Sequence, residues 1–221
     1  MKENPFISIV IANYNYGHLL PAAIESILHQ DCDDYEIIVV DGGSSDNSVE
    51  VIKRYADHIA WWVSEPDNGQ SDAFNKGFAH SRGKFLTWLN ADDLLLPGTI
   101  KAVKHALESH PECSWATGNM VRFLHADGKI IEAPWGPNYL PKCLQGTGRQ
   151  TIFFGPTTFW SREIYDAIGP IDESLHYAMD VDYWYRIDRA GYQQIRVNHP
   201  CWGFRMHEDS KTAEFGEHEK A

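Results

Sequence analysis

The chain has 221 residues, of which 43% are hydrophobic and 23% charged, a composition typical of a globular protein with a substantial core. Its net charge of −12 at pH 7 argues against nucleic acid or an anionic membrane surface as the main partner, because both are negatively charged. No apolar run approaches the roughly twenty residues that a membrane-spanning helix needs, so none is expected.

The chain begins with two strand-like runs separated by a helical pattern. Residues 7–12 and 35–41 are rich in β-branched side chains, which predicts strands buried on both faces. Between them, apolar residues recur at helical spacing: Leu20, Ala23, Ile24, Ile27 and Leu28. A helix is therefore predicted there, with Pro21 in its first turn, where proline is tolerated.

The same alternation continues to about residue 110. Residues 49–55 predict a helix, 58–65 a third strand, 70–81 another helix and 84–90 a fourth strand, and a further helix opens at Pro97. Alternating strands and helices predict a parallel sheet with helices on its faces. In such sheets, ligands bind outside the carboxyl ends of the strands.

Polar side chains stand at the ends of these predicted strands. Residues 13–15 follow the first strand, Asp41 ends the second, and residues 65–72 follow the third. Asp92 and Asp93 come directly after the fourth. We therefore expect these groups to share one edge of the sheet.

The second half of the chain has a different pattern. Residues 113–135 read as two strands joined by the turn HADGK, which predicts a hairpin. After a loop-rich stretch, residues 152–154 and 157–160 are strand-like, and a short helix follows. Because no repeat, low-complexity segment or linker interrupts the sequence, we predict one domain over residues 1–221.

A last helix is predicted to end at Gly191, a residue suited to the position after a helix. Asp180 and Asp182 fall in its first turn, where the helix dipole favours carboxylates. The polar sequence beyond His207 is expected to fray.

Four segments, taken together and in order, resemble family 2 glycosyltransferases of the GT-A fold. They are residues 8–17 (SIVIANYNYG), 37–48 (IIVVDGGSSDNS), 65–93, and 176–187 (HYAMDVDYWYRI). Each segment alone is weakly specific, but their order and spacing make the resemblance specific over residues 6–210.

The resemblance implies an α/β fold of the GT-A type, with a mostly parallel central sheet and helices on both faces. Residues 1–110 would form a Rossmann-like half that binds the nucleotide sugar, and residues 111–210 a half with the acceptor and the catalytic base. The implied activity is an inverting transfer of a sugar from a nucleoside-diphosphate donor, expected to be a UDP-sugar. The implied acceptor is a hydroxyl of a glycan or lipid-linked molecule in cell-surface or polysaccharide synthesis.

The acidic pair Asp92 and Asp93 lies between apolar flanks, where charge is costly unless a cation meets it. In the family, this position is the DXD motif, which contacts the ribose and a metal; here Asn90 occupies its first position. Mn²⁺ or Mg²⁺ prefers carboxylate oxygens and stabilises a departing diphosphate. The resemblance thus places the metal on Asp92 or Asp93 and the ribose on Asp92. A solvated acidic turn is the alternative.

Four further residues match the nucleotide-binding positions of the family. The resemblance places Asn13 and Tyr14 at the base, and Asp41 and Asp72 near the base and ribose. A carboxylate accepts hydrogen bonds, so Asp41 could receive a uracil N–H or the ribose hydroxyls. Alternatively, Asp41 prepares the next helix through a local turn.

An inverting transfer needs a base that removes the proton of the acceptor hydroxyl. Asp180 matches the aspartate of the motif that usually ends in Glu-Asp in the family, with Met179 in place of the glutamate. The resemblance therefore makes Asp180 the catalytic base. Asp182 is the second candidate, and a simple helix-capping acid is the alternative for Asp180.

Residues 201–212 resemble the closing loop of the family. On it, His207 is expected to be a third metal ligand, with an ordinary surface histidine as the alternative, and Arg205 to grip the diphosphate. The Gln-x-x-Arg-Trp motif of processive membrane synthases is absent from the sequence, which favours a single transfer.

Three other interpretations compete with this one. A sugar nucleotidyltransferase also uses acids on Mg²⁺, but its glycine-rich start motif is missing after the first strand. The chain could also be a catalytically silent nucleotide-sugar-binding module, or a fragment of a larger polysaccharide-making protein. Four widely spaced cysteines and no targeting segment favour a cytoplasmic location, either free or peripheral to the inner face of the membrane.

Overall fold

A computed structural model describes residues 4–125, 130–132, 155–208 and 210 of the chain. These residues contain nine strands: β1 (Ile7–Asn13), β2 (Tyr35–Asp41), β3 (Trp61–Ser64), β4 (Phe85–Asn90), β5 (Leu94–Leu95), β6 (Trp115–Leu124), β7 (Ile130–Glu132), β8 (Thr158–Ser161) and β9 (Gln194–Met206). They also contain six α-helices: α1 (Leu20–Leu28), α2 (Ser48–Arg54), α3 (Gln70–His80), α4 (Thr99–Ser109), α5 (Arg162–Ile168) and α6 (Met179–Arg189). Short 3-10 turns lie at Ala56–His58 and Gly155–Thr157.

The strands form one sheet in the order β3-β2-β1-β4-β8-β6-β9-β5, with β7 beside β6. The first four strands in this order are parallel, and the register pairs Asn13 with Asp41 and Ala12 with Asn90. The carboxyl ends of β1, β2 and β4 therefore meet at one edge of the sheet. This confirms the α/β class and the parallel sheet predicted for the first half.

The second half extends the same sheet with mixed strand directions. β8 is antiparallel to both β4 and β6, whereas β6 and β9 are parallel. The predicted hairpin is confirmed by the antiparallel pairing of β6 with β7. The predicted strand at residues 152–154 lies outside the described residues. The sheet as a whole is mixed, with its parallel strands concentrated in the first half.

Helices cover both faces of the sheet, as predicted. Side chains along each strand alternate between the two faces, and on each face they pack with helices into a separate core. On β1, Ile9 and Ile11 face one core and Val10 faces the other. The first core is mainly aliphatic and includes side chains of α1, α2 and α4: Leu20, Ile24, Ile27, Val51, Ile52, Ile100 and Val103. The second is rich in aromatic side chains: Phe74, Phe78, Trp88, Trp160, Tyr183 and Trp184. In the described part of the chain, no helix is long and apolar enough to cross a bilayer.

At the end of the chain, one expectation is confirmed and one is corrected. Helix α6 ends at Arg189, and Gly191 follows its cap with φ 83°, the left-handed conformation expected of a glycine after a helix. The predicted closing loop is strand β9 as far as Met206, so Arg205 lies on a strand and His207 directly follows it. Pro200 interrupts the strand pattern of β9 at a register shift of the β6–β9 pairing, a place where a missing N–H is tolerated.

Candidate functional site

A cleft of about 1050 Å³ opens at the carboxyl edge of the parallel strands. Part of its lining comes from the ends of β1 to β4 and the loops that follow: Ala12, Asn13, Tyr14, Gly42, Gly43, Pro66, Asp67, Asn90, Ala91 and Asp92. Another part comes from the second half: Gly155, Pro156, His176, Tyr177, Ala178, Met179, Asp180, Trp202 and Phe204. The structure thus brings the predicted Asn13, Tyr14, Asp92 and Asp180 to one cleft, and it places Asp41, Asp72, Asp93 and Arg205 in buried positions around it.

Asp41, at the end of β2, is fully buried. Its Oδ1 accepts hydrogen bonds from Asn13 Nδ2 at 2.6 Å and Ser44 Oγ at 2.5 Å. Its Oδ2 accepts from Ser64 Oγ at 2.6 Å and Ser44 N at 3.1 Å. These donors stabilise the charge away from solvent and tie the ends of three neighbouring strands together. The predicted contact of Asp41 with the base or ribose stays a prediction.

Asn13 and Tyr14 lead from β1 into the cleft. Because a carboxylate only accepts hydrogen bonds, Asn13 must turn its amide nitrogen toward Asp41. Its Oδ1 is then buried with no hydrogen-bond partner in the described part of the chain. The Tyr14 side chain is 62% exposed. An unsatisfied acceptor next to an exposed ring is a combination that suits a planar, hydrogen-bonding ligand such as a nucleotide base.

The loop before α3 is shaped by Asp67 on the loop and by Asp72 in the first turn of α3. Gly69 N donates to Asp67 Oδ1 at 2.9 Å, and Gly69 has φ 108°, a conformation that glycine adopts without strain. Asp72 accepts from Asn68 N at 2.9 Å and lies 3.5 Å from Lys76 Nζ. Burial raises the pKa of Asp67 above its ordinary value. Asp67 lines the cleft, whereas Asp72 supports the loop from a buried position on α3.

Asp92 and Asp93 are adjacent in sequence but lie in different environments. Asp93 is fully buried, and its two oxygens accept from Arg205 N at 3.0 Å and Asn90 Nδ2 at 2.8 Å. Burial, and then the charge of Asp92, raises the pKa of Asp93 well above its ordinary value, although both hydrogen bonds act in the opposite direction. Asp92, by contrast, lines the cleft. Of the two carboxylates, Asp92 is the one that a ligand in the cleft can reach.

His207 brings an imidazole to this carboxylate. Its Nε2 lies 3.0 Å from Asp92 Oδ2, and its ring packs edge-on against Tyr16. A carboxylate oxygen and an imidazole nitrogen are both ligands for ions such as Mn²⁺, so this pair fits two positions of a divalent cation. The described residues contain no cluster of three or more His, Cys, Asp or Glu side chains suited to a metal.

Arg205, on β9, reaches the loop that carries the acidic pair. Its Nε donates to the Asp92 carbonyl oxygen at 2.6 Å, and its Nη1 lies 3.3 Å from His125 Nδ1. The guanidinium also packs over the ring of Phe123, 4.9 Å from its centroid. Burial lowers the pKa of Arg205, although the nearby carboxylates of Asp93 and Asp92 act to raise it. The predicted contact of Arg205 with a diphosphate stays a prediction.

Asp180 lies in the first turn of α6, as predicted, and lines the cleft. Ala178, two residues earlier, has φ 57°, an uncommon conformation for a residue with a Cβ, and turns the chain into the helix. A Cβ built on Gly155 would lie 4.0 Å from Asp180 Oδ2, so this oxygen is close to the segment that leads into β8. Asp182, the second candidate, instead pairs with Arg186 at 3.0 Å.

Several residues of the lining were not singled out from the sequence. Gln70, at the start of α3, donates through Nε2 to Asn90 Oδ1 at 2.8 Å. Trp202 and Phe204 alternate on β9, with ring centroids 5.0 Å apart. The one available signal was the high aromatic content of the chain, and an aromatic residue in a strand pattern indicates a core position equally well.

These features define an α/β domain whose second half completes a cleft at the carboxyl edge of a parallel sheet. The family model described as glycosyl transferase family 2 matches residues 8–169, which is more than half of the chain. The chain belongs to this family.

Two curated relatives illustrate the similarity. The chain is 32% identical over 182 residues to an uncharacterized glycosyltransferase of Nostoc sp. (strain PCC 7120), covering 75% of this chain and 54% of that protein. It is 28% identical over 186 residues to a PGL/p-HBAD biosynthesis glycosyltransferase of Mycobacterium bovis, covering 81% and 68%. The chain spans 54% to 62% of the length of the Nostoc protein and of two similar Rickettsia glycosyltransferases.

Solved structures share the fold. Staphylococcus aureus TarS 1–349 in complex with UDP-GlcNAc has a TM-score of 0.76 at 16% identity, covering 92% of this chain and 59% of that one. The mannosyltransferase PcManGT from Pyrobaculum calidifontis, in complex with GDP-Man and Mn²⁺, has a TM-score of 0.67 at 17% identity, covering 98% and 61%. The predicted GT-A fold is thereby confirmed.

Proposed function

We propose that this chain forms the catalytic domain of an inverting glycosyltransferase that moves a sugar from a nucleoside-diphosphate donor to an acceptor hydroxyl. The observation that carries the proposal is a single cleft lined by Asn13 and Asp92 at the strand ends and by Asp180 on α6. Such a cleft can hold donor and acceptor together, which removes most of the entropic barrier to their reaction.

The nucleotide is proposed to lie over the ends of β1 and β2. Tyr14 offers an exposed ring to the base, and Asn13 Oδ1 offers an acceptor without a partner in the described residues. Asp41 and Asp72 remain the candidates for base and ribose contacts. A UDP donor is supported by the TarS complex with UDP-GlcNAc. Because PcManGT was solved with GDP-Man, the experiment below compares uracil and guanine donors.

A divalent cation is proposed beside Asp92 and His207. Asp92 is preferred over Asp93 because Asp93 is fully buried and both of its oxygens already accept hydrogen bonds. Mn²⁺ or Mg²⁺ at this position would stabilise the negative charge that develops on the departing diphosphate. The Mn²⁺ in the PcManGT complex supports a divalent cation as the cofactor.

Asp180 is proposed as the general base. It removes the proton of the acceptor hydroxyl while that oxygen bonds to the anomeric carbon and the bond from that carbon to the diphosphate oxygen breaks, which inverts the configuration. The rings of Trp202 and Phe204 offer apolar faces to the sugars bound nearby. We further propose a glycan or lipid-linked acceptor and a cytoplasmic location. The latter is supported by Cys32, Cys113 and Cys201, which form no disulfide within the described residues.

A donor screen tests the proposal. Melting temperatures measured with UDP- and GDP-sugars, each with and without Mn²⁺, should rise for one nucleotide class in the presence of Mn²⁺, because a ligand that binds only the folded state stabilises it. Nucleoside diphosphate release upon addition of glycan or lipid-linked acceptors then measures transfer. Donor binding without release under any condition would instead favour a catalytically silent binding module.

A further inference from the structure

Asp93 and Arg205 are connected by a reciprocal pair of contacts that spans 112 positions of the chain. The Asp93 carboxylate accepts from the main-chain N–H of Arg205 at 3.0 Å. The Arg205 side chain donates through Nε to the main-chain carbonyl of Asp92 at 2.6 Å. Each side chain thus holds the main chain of the other segment, so the loop after β4 and the end of β9 cannot shift independently.

Contacts with neighbouring side chains hold both Asp93 and Arg205 in place. The second oxygen of Asp93 accepts from Asn90 Nδ2 at 2.8 Å, and Asn90 Oδ1 in turn accepts from Gln70 Nε2 at 2.8 Å. The Arg205 guanidinium packs over Phe123 on the neighbouring β6. This network resists movement, because displacing either of its buried members, Asp93 or Arg205, would leave a buried polar group unsatisfied.

The two segments joined in this way carry the proposed metal ligands. Asp92 precedes Asp93 directly, and His207 lies two residues after Arg205, with its Nε2 3.0 Å from Asp92 Oδ2. Strand β5 extends the connection, since Leu94 pairs with Gly203. The distance between a carboxylate from one half of the chain and an imidazole from the other therefore depends on the Asp93–Arg205 contacts.

We propose that Asp93 and Arg205 are positioning residues that hold Asp92 and His207 at the separation a divalent cation requires, without binding the cation or the diphosphate themselves. This inference rests on the proposed function, because it assumes the cation site beside Asp92. According to this proposal, Arg205 acts through the hydrogen bond that its Nε–H donates, and its positive charge is not required.

Two substitutions separate these properties. Arg205→Gln places an amide N–H donor at the position of Nε and removes the charge, whereas Arg205→Lys keeps the charge and places a methylene there. Both variants keep the main-chain N–H that Asp93 accepts. The matched controls are Arg196→Gln and Arg196→Lys, on the same strand, where Arg196 bonds to Asn119.

The readout is Mn²⁺ affinity in the presence of UDP or GDP, followed by the loss of the free-Mn²⁺ paramagnetic resonance signal, with nucleotide affinity measured separately without metal. We expect Arg205→Lys to raise the Kd for Mn²⁺ by about tenfold, as for other groups that orient metal ligands, and Arg205→Gln to stay near wild type. Nucleotide affinity without metal should not change in either variant, and the melting temperature of each shows that it is folded.

The opposite ranking would overturn the proposal: weak metal-free nucleotide binding in Arg205→Gln with normal binding in Arg205→Lys means that the charge grips the diphosphate. An Mn²⁺ Kd that is the same in Arg205→Lys and wild type overturns the positioning role alone. If the wild-type protein binds no Mn²⁺ with either nucleotide, the metal site of the proposed function fails as well.

Discussion

Trp184 stacks on Trp88, with ring centroids 4.9 Å apart and ring planes 12° from parallel. Trp88 lies on β4, the strand that leads to Asp92, and Trp184 lies one turn after Asp180 on α6. Trp160, from β8, packs edge-on against both rings. This aromatic cluster therefore connects the strand of the proposed metal ligand with the helix of the proposed base, and it sets how the two parts of the cleft lie relative to each other.

Replacement of Trp184 tests this connection. Trp184→Ala should lower the free energy of unfolding by about 3–5 kcal/mol, because removing a fully buried ring leaves a cavity. Trp184→Phe should cost less, since a ring remains and since Trp184 Nε1 has no hydrogen-bond partner in the described residues that could be lost. Urea unfolding followed by circular dichroism measures both changes.

The neighbouring Tyr185 is the matched control, because its ring is 43% exposed. Tyr185→Ala should change the free energy of unfolding by no more than about 1 kcal/mol. If Trp184→Ala were as stable as this control, the aromatic cluster would not connect the two halves as described.

Asp180 is tested as the base by the isosteric change to asparagine. Asp180→Asn should lower kcat by about 10²–10⁴-fold, because the amide cannot accept the proton, while donor binding with Mn²⁺ is retained. Asp182→Asn is the control from the same helical turn, since Asp182 is held by Arg186 and should leave turnover largely intact. Coupled detection of nucleoside diphosphate release measures kcat, and unchanged turnover in Asp180→Asn would eliminate Asp180 as the base.

The parallel half of the fold could be predicted from the sequence because its signals are local. Residues 7–12 and 35–41 are rich in β-branched apolar side chains, and such segments form strands that are buried on both faces. The helix at residues 20–28 follows from the spacing of its apolar side chains. Since all these strands point the same way, the gathering of Asn13 and Asp92 at one edge followed without any knowledge of the packing.

The second half could not be predicted as well, because its structure depends on contacts between distant segments. Leu94–Leu95 is a strand only through its pairing with β9, and the pattern of β9 is interrupted at Pro200. The different environments of Asp92 and Asp93 likewise come from the end of β9, over a hundred residues away. No local pattern distinguishes two adjacent aspartates.

The assignment of the metal to Asp92 leads to a further prediction. Asp92→Asn should abolish the Mn²⁺-dependent part of nucleotide binding in calorimetry, since the amide carries no charge for the cation. Asp67→Asn is the control, because Asp67 is another carboxylate of the cleft lining, on the loop before α3. Mn²⁺-dependent binding that survives in Asp92→Asn and is lost in Asp67→Asn would place the cation at the other loop.

Asp46, on the loop between β2 and α2, supplies a test by pH. Its Oδ2 accepts from Gly17 N at 2.8 Å, and its Oδ1 accepts from Ser48 N at 2.9 Å and Ser48 Oγ at 2.5 Å. Partial burial acts to raise the pKa of Asp46, but the hydrogen bonds from Ser48 and Gly17 outweigh it, so the pKa lies below its ordinary value. Ionised Asp46 thus ties the loop after β1 to the first turn of α2.

Because the pKa is lower in the folded state, the stabilisation by Asp46 is fully present above the unfolded pKa of about 3.9 and is lost as the pH falls through the folded value. Asp46→Asn should therefore be less stable than wild type at pH 7, by at most about 1 kcal/mol, since solvent screens this exposed group. The difference should shrink between about pH 5 and pH 3. Urea unfolding across this range, with the exposed Asp57→Asn as control, measures it; a difference that stays constant with pH would mean that the charge of Asp46 contributes nothing.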